Sequence, residues 1–396
     1  MASEWKECTL AELGEIVGGA TPSTKDESNY GGDIAWITPK DLSALKGRFI
    51  SHGERNITEK GLNSCSTQMM PANAVLFSSR APIGYVAIAQ NPVCTNQGFK
   101  SIVANADNDP MFLYYLLKYN KDAIEAMGSG TTFKEVSGST MRGIRVRVPV
   151  SKAEQQRIAS VLATLDSKIE NNDKINDNLE QQAQAFFQEL FLDNADLEWK
   201  IGTISDLGAV VGGSTPSKAK PEYYAETGIA WITPKDLSIN KSKFVSHGEN
   251  DITELGLKNS SATIMPEGTV LFSSRAPIGY IAIAAGEVTT NQGFKSIVPK
   301  PEIGTAFVYY FLKHNLPIIE GMASGSTFKE VSGSTMKGVP AVIPDTDTIT
   351  RFNDFCAPIF AQQRILEEQN QSLAALRDSL LPKLMSGEID VSTVQL

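Results

Sequence analysis

The chain repeats itself. WITPKDLS runs from Trp36 to Ser43 and again from Trp231 to Ser238, and VLFSSRAPIGY runs from Val75 to Tyr85 and again from Val270 to Tyr280. TNQGFKSIV at Thr95 returns at Thr290, and FKEVSGSTM at Phe133 returns at Phe328, all at an offset of 195 residues. Upstream, LGEIVGGATPS at Leu13 returns as LGAVVGGSTPS at Leu207, an offset of 194, so one residue is inserted between Pro216 and Trp231. A period this long is no solenoid repeat of roughly 20 to 50 residues; each copy is a domain in its own right. The chain is a tandem duplication, and whatever one half does the other half is built to do as well.

Each copy divides again. Residues 1–150 and 194–343 are rich in Gly, Pro, Ser and Thr, with short β-branched runs such as Ile144 to Val148, Val86 to Ala89 and Ile281 to Ala284 that read as strands between turns. One helix per copy is expected, at Met111 to Asn120 and at Ala306 to Asn315. These are mixed α/β (α+β) globules. Residues 151–193 and 344–396 have a different period. After Pro149 the positions Ile158, Leu162, Leu165, Ile169, Asn172, Asn176, Leu179, Ala183, Phe186 and Leu190 follow a 4,3 spacing without Gly or Pro. After Pro344 the same spacing selects Phe352, Phe355, Ile359, Gln362, Leu366, Gln369, Leu373, Leu376 and Leu380. Two long helices are predicted, and their polar seam residues admit two readings. Either each helix lies solvated on its own globule, or the two pair with each other and the polar positions fix register at some cost in stability.

With 396 residues, 41% of them hydrophobic and 20% charged, the chain has the composition of a soluble globular protein and length for two or three domains. No apolar run approaches the roughly 20 residues that cross a bilayer. Glu4, Glu7, Glu12 and Glu15 occupy the start where a signal peptide would be basic and then apolar, so a cytoplasmic location without membrane contact is expected. Cys8, Cys65, Cys94 and Cys356 have neither a metal-ligand nor a disulfide-framework spacing. The net charge of −9 argues at first against nucleic acid, whose phosphates need a basic footprint. Its distribution matters more: 0 over residues 1–150, −4 over 151–193, −1 over 194–343 and −4 over 344–396. The helices hold most of the negative charge, and the globules leave room for a local basic face around Arg142, Arg145 and Arg147.

Several chemistries are missing from the string. There is no GxxxxGK[ST] loop for a nucleotide phosphate, no GxGxxG and no Asn-Pro-Pro-aromatic tetrad, so neither ATP hydrolysis nor S-adenosylmethionine binding by this chain is expected. Three histidines, His52, His247 and His314, are too few for a multi-histidine metal site. His52 and His247 sit in a repeated Ser-His-Gly-Glu string that invites a duplicated hydrolase. Adjacent Ser and His are not expected to face one another as nucleophile and base must, and no nucleophile elbow is present.

The repeated strings themselves set Ser, Thr, Asn, Gln, Lys and Arg beside Gly and Pro, as loops on a rigid scaffold do when they present hydrogen-bonding groups. Arg80 and Arg275 can each take two acceptors of a guanine edge, and Asn96, Gln97, Asn291 and Gln292 can pair with an adenine edge. Lys40, Lys100, Lys134, Lys235, Lys295 and Lys329 suit phosphates, and Ser78, Thr132, Ser273 and Thr327 complete the candidate DNA-binding set. For any single residue, a turn that caps its own backbone is an equal alternative.

The stretch Phe133 to Val150 (FKEVSGSTMRGIRVRVPV), leading into Glu154-Gln155-Gln156-Arg157-Ile158 with Leu162, Leu165, Asp166, Lys168 and Ile169 after it, resembles the specificity subunit of type I restriction-modification systems. Leu380 to Ile389 (LLPKLMSGEI) looks like the ending of that family, and the alternation of globule and long helix covers nearly the full length. The resemblance implies two target-recognition domains, each reading half of a bipartite double-stranded DNA site. It also implies an antiparallel pair of spacer helices serving as a platform for two methyltransferase subunits and for restriction subunits. It implies no catalysis and no cofactor in this chain, with S-adenosylmethionine in the methyltransferase partner, and partner binding at Glu154, Gln155 and Arg157. The second junction, Pro344 to Phe355, departs from the pattern in lacking the Glu-Gln pair. Because the two globules share their contact strings, a palindromic or nearly palindromic interrupted target is expected. Its spacer would be set by helices of at most roughly 63 Å, against about 34 Å for one DNA turn. A duplicated hydrolase and a protein-interaction scaffold are the competing readings; the scaffold would bind with little dependence on salt.

Overall fold

The computed structural model describes residues 4–80, 82–130, 134–325 and 329–391. It divides into two units, residues 1–171 with 370–396 and residues 172–369. The division cuts across both long helices rather than falling between globule and helix.

In the first unit, β1 (Trp5–Thr9) pairs antiparallel with β7 (Arg145–Pro149), so the globule is closed by joining its two ends. A five-stranded sheet holds its centre: β2 (Gly14–Gly18), β3 (Phe49–Ile50), β4 (Val75–Ser79), β5 (Ile83–Ala89) and β6 (Lys100–Ala104), in the order β2-β6-β4-β5-β3. All neighbours are antiparallel except the edge pair β3 and β5. The expected helix runs Pro110–Tyr119 (α1), capped by Asp109, whose carboxylate accepts from Phe112 N. Its residues Phe112 to Leu117 are all buried, so it is a core helix and not an amphipathic surface one. It is not alone, because short helices such as Pro39–Ser43 and Gly138–Gly143 begin at Thr38 and Ser137; their brevity hides them from any periodicity.

The second unit repeats this with β8 (Lys200–Thr203) on β14 (Pro340–Ile343). Its sheet is β9 (Gly208–Gly212), β13 (Lys295–Pro299), β11 (Val270–Ser274), β12 (Ile278–Ala284) and β10 (Phe244–Val245). Its core helix α3 (Thr305–Gly321) is longer than expected and contains Pro317. The inserted residue can be placed more narrowly than the sequence allows. Tyr30 and Tyr224 donate their hydroxyls to equivalent carbonyls, Pro22 O at 2.7 Å and Pro216 O at 2.6 Å, so the offset of 194 persists through Tyr224 and the insertion follows it.

The long helices α2 (Lys152–Gln188) and α4 (Thr346–Ser386) serve both roles that the seam residues left open. Each packs on a globule: Ile158 and Leu162 are buried with Phe77 and Phe112, and Phe187 and Phe352 with Phe307. Each also pairs with the other, antiparallel within each unit. In the first unit Arg377 donates to Asp166 at 2.7 Å and Asn370 to Ile169 O at 3.5 Å. In the second, Asn172 donates to Gln369 at 3.5 Å, Gln363 to Asn176 O at 3.2 Å, and Phe186 meets Phe355 at 4.5 Å between ring centroids. The seam of α4 differs from the expected one. Cys356 and Gln363 are buried, while Phe355 and Gln362 lie exposed, because a helix that contacts both a globule and a partner helix turns its buried stripe away from a strict heptad face.

Candidate nucleic-acid interface

In the second unit the repeated strings come together around one cleft, and the same strings make matching close approaches and hydrogen bonds in the first. Its wall is set by a close approach of backbones: a Cβ on Gly19 would lie 2.2 Å from the carbonyl oxygens of Thr95 and Asn96, and one on Gly213 would lie 2.1 Å from Asn291 O. Only glycine lets the segment after β2 or β9 lie against the TNQGF turn. The indole of Trp36 donates to Ala20 O at 3.1 Å and that of Trp231 to Ser214 O at 3.0 Å, fixing the floor. In the second unit the cleft has a volume of about 690 Å³, and Thr215, Tyr224, Lys235, Arg275, Asn291 and Gln292 line it.

The TPKD string starts a helical turn. Asp41 Oδ2 accepts from Thr38 N at 2.7 Å and Thr38 Oγ1 at 2.6 Å, while its other oxygen accepts from Glu54 N at 2.7 Å. That brings Glu54 to Lys40, 2.5 Å apart, and Lys235 meets Glu249 at the same distance. The carboxylates hold both ammonium groups above their ordinary pKa. Arg80 and Lys100 share a second carboxylate, Glu135, at 3.8 and 3.4 Å; Arg275 and Lys295 share Glu330, each at 3.4 Å. Sequence reasoning passed over these two glutamates, although the repeated FKEVSGSTM string carries them. Mutual main-chain bonds between Ser129 and Glu135, and from Val136 N to Ser79 O at 2.9 Å, fold that string against Arg80. Lys134 and Lys329 are exposed and have no ion-pair partner among the described residues. Partly exposed ion pairs are worth only about 0–1 kcal/mol, so these cations remain exchangeable toward another anion.

The amides are partly committed. Asn96 Oδ1 accepts from Gly98 N and Asn291 Oδ1 from Gly293 N, both at 2.8 Å, so these side chains close their own turns. Gln97 and Gln292 are exposed; their amide oxygens accept from Thr21 and Thr215, and their NH₂ groups have no hydrogen-bond partner among the described residues. Ser78 and Ser273 do not belong to the surface. Both are buried, and each hydroxyl donates to a proline carbonyl (Pro82, 2.8 Å; Pro277, 2.9 Å) while accepting from a tyrosine N–H (Tyr85, Tyr280), as the tight turn after β4 and β11 requires. Thr132 and Thr327 lie outside the described residues.

The Ser-His strings differ from expectation. Ser51 Oγ lies 2.9 Å from His52 Nδ1, so adjacent residues do meet in this loop. The second copy does not repeat the pair: His247 Nδ1 faces Asp251 at 3.3 Å, a residue that stands where the first copy has Asn56.

Gln155, expected at a partner surface, is buried and satisfied within the chain. It accepts from Asp109 N at 2.9 Å and donates to Asn108 Oδ1 and Pro149 O, clamping the start of α2 to the cap of α1. Asn353, donating to Ile303 O at 2.9 Å, makes the corresponding clamp in the second unit, which explains how that junction manages without a Glu-Gln pair. Glu154 is buried and pairs with Arg157 at 3.3 Å; Arg157, half-buried, is the least covered of the three.

The model for the type I restriction modification DNA specificity domain matches twice, over residues 2–181 and 196–375. The MjaIX type I restriction enzyme specificity subunit of Methanocaldococcus jannaschii is 32% identical to this chain, covering 98% of it and 94% of the relative. The HindI specificity subunit of Haemophilus influenzae is 23% identical, covering 98% and 100%. Among solved structures, a type I restriction-modification S subunit from M. genitalium shares the fold with a TM-score of 0.61, at 18% identity and 96% coverage of both chains. No helix among the described residues is long and apolar enough to cross a membrane. Two matched domains on a duplicated sequence, with end-to-end similarity to named specificity subunits, make this chain a member of the type I restriction-modification specificity-subunit family, the non-catalytic component of such systems.

Proposed function

We propose that the chain reads a bipartite double-stranded DNA target in the cytoplasm, one half-site per unit, and docks two methyltransferase subunits and the restriction subunits. S-adenosylmethionine would be held by the methyltransferase. The observation that carries this reading is the duplication of one polar, cationic residue set: Lys40, Arg80, Gln97, Lys100 and Lys134 recur as Lys235, Arg275, Gln292, Lys295 and Lys329 around the same turns. In this reading the lysines position phosphates, while the arginines and the exposed glutamine amides face base edges. Shared contact residues on an antiparallel helix pair favour similar half-sites on opposite strands, hence a near-palindromic interrupted target. Arg157 and the exposed flanks of the long helices are the surface left for partners once Gln155 is assigned to an internal clamp.

Methylation mapping of DNA from cells carrying this chain and its methyltransferase, against cells lacking this chain alone, tests the reading. An interrupted motif that vanishes with the chain supports it; unchanged methylation overturns it. DNA affinity should also fall steeply as salt rises, whereas a protein scaffold would bind with little salt dependence.

A further inference from the structure

The two units share the lysines and arginines named above but differ at one edge of the repeated strings. In the first unit Arg55 is exposed and its guanidinium carbon lies 3.6 Å from the centroid of the Tyr30 ring. Tyr30 is itself fixed by its hydroxyl bond to Pro22 O and by an edge contact with Trp36 at 5.9 Å. Stacking uses the face of the guanidinium and leaves its in-plane N–H donors free. Among the described residues Arg55 has no hydrogen-bond or ion-pair partner, unlike Arg80 and Lys40, which are held by carboxylates. In the second unit the position of Arg55 is taken by Asn250, which lines the cleft together with Tyr224. Tyr224 keeps the hydroxyl bond to Pro216 O and the edge contact with Trp231 at 5.7 Å, yet is only half-buried where Tyr30 is buried. Lys218, exposed on the wall of that cleft, stands where the first unit has Thr24.

We infer that Arg55, stacked on Tyr30, is a base-reading residue, and that its replacement by Asn250 makes the two half-sites differ at one base pair. A guanidinium held flat with free donors suits the two acceptors of guanine, whereas an asparagine amide at the same place suits adenine. The target is thus a palindrome broken at one position per half. This inference rests on the DNA-reading proposal above.

The test is selection from randomised duplex DNA by the full-length chain assembled with its methyltransferase, as wild type, Arg55→Asn and Asn250→Arg. Wild type should return halves that match except at one position, with guanine favoured on one side. Arg55→Asn should reduce that guanine preference roughly ten-fold or more with the rest of the motif unchanged, as expected for one bidentate arginine–guanine pairing. Asn250→Arg should create the same preference in the other half. It also keeps the test alive if the first variant folds poorly, since it adds to an exposed position. Identical halves in wild type, a loss spread evenly over all sequences as for a phosphate contact, or an unaltered motif would each overturn the inference. Failure of wild type to enrich any motif would instead remove the DNA-reading proposal on which it stands.

Discussion

Arg48 and Glu170, 122 residues apart, meet with Nε 2.9 Å from Oε1, and the same carboxylate accepts from Arg48 N at 3.1 Å. The arginine side chain is only 6% exposed and also reaches Ser167 Oγ at 2.7 Å and Ala163 O at 3.2 Å, so it bolts the edge of the globule to α2. The second unit builds the anchor from other residues. Lys243 takes the place of Arg48 and pairs with Glu180 and Gln363, while its backbone N–H donates to Glu367 at 2.8 Å.

Removing one partner of such a buried pair leaves the other charge without compensation. Arg48→Ala is expected to destabilise the first unit by about 3–5 kcal/mol, and replacing Arg48 and Glu170 together by apolar residues of similar size should cost far less. Urea unfolding of the single and double variants checks this; equal losses would show that the arginine acts by packing alone.

Glu135 and Glu330 are counter-charges within the proposed interface. Glu135→Gln should raise affinity for DNA of any sequence and steepen its salt dependence, because Lys100 no longer exchanges a carboxylate for a phosphate. Its discrimination at the first half-site should fall as Arg80 loses a fixed direction. Binding titrations across a salt series, on target and unrelated DNA, read both effects.

Acid should weaken the second unit through Glu180. Burial works against its charge, but Lys243 and Lys313 beside it hold the carboxyl down at about 2, below the ordinary 4.5. A depressed carboxyl contributes fully above pH 4.5 and loses its contribution as pH falls toward about 2. Burial of Glu367 pushes that carboxyl upward and opposes the trend. The informative quantity is the stability difference between wild type and Glu180→Gln, which should shrink across that window and stay flat above it.

Gln155 separates a structural clamp from a docking residue. Gln155→Ala leaves Asp109 N and Pro149 O buried without their partner and should cost about 1–3 kcal/mol. Methyltransferase binding by the folded variant should match wild type, whereas Arg157→Ala should weaken it. Unfolding curves and calorimetric titration with the methyltransferase distinguish the two.

The duplication, the long helices and the family were legible in the string because they depend on identity and on local periodicity. Strands such as β7 and β12 announced themselves by β-branched runs, and α2 by an uninterrupted 4,3 spacing. The sequence could not tell which polar side chains face outward. Ser78 and Asn96 carry the chemistry of a contact but spend it on their own turns, a choice made by how the chain folds back within a few residues. Glu135, Gln155 and Arg55 gained their meaning from neighbours 25 to 55 residues away, Arg80, Asp109 and Tyr30, which no local pattern links. The shift from Gln362 to Gln363 in the buried stripe has the same origin. A heptad describes a helix facing one partner, and α4 faces two, so the tertiary arrangement decided which residues are covered and which are left exposed.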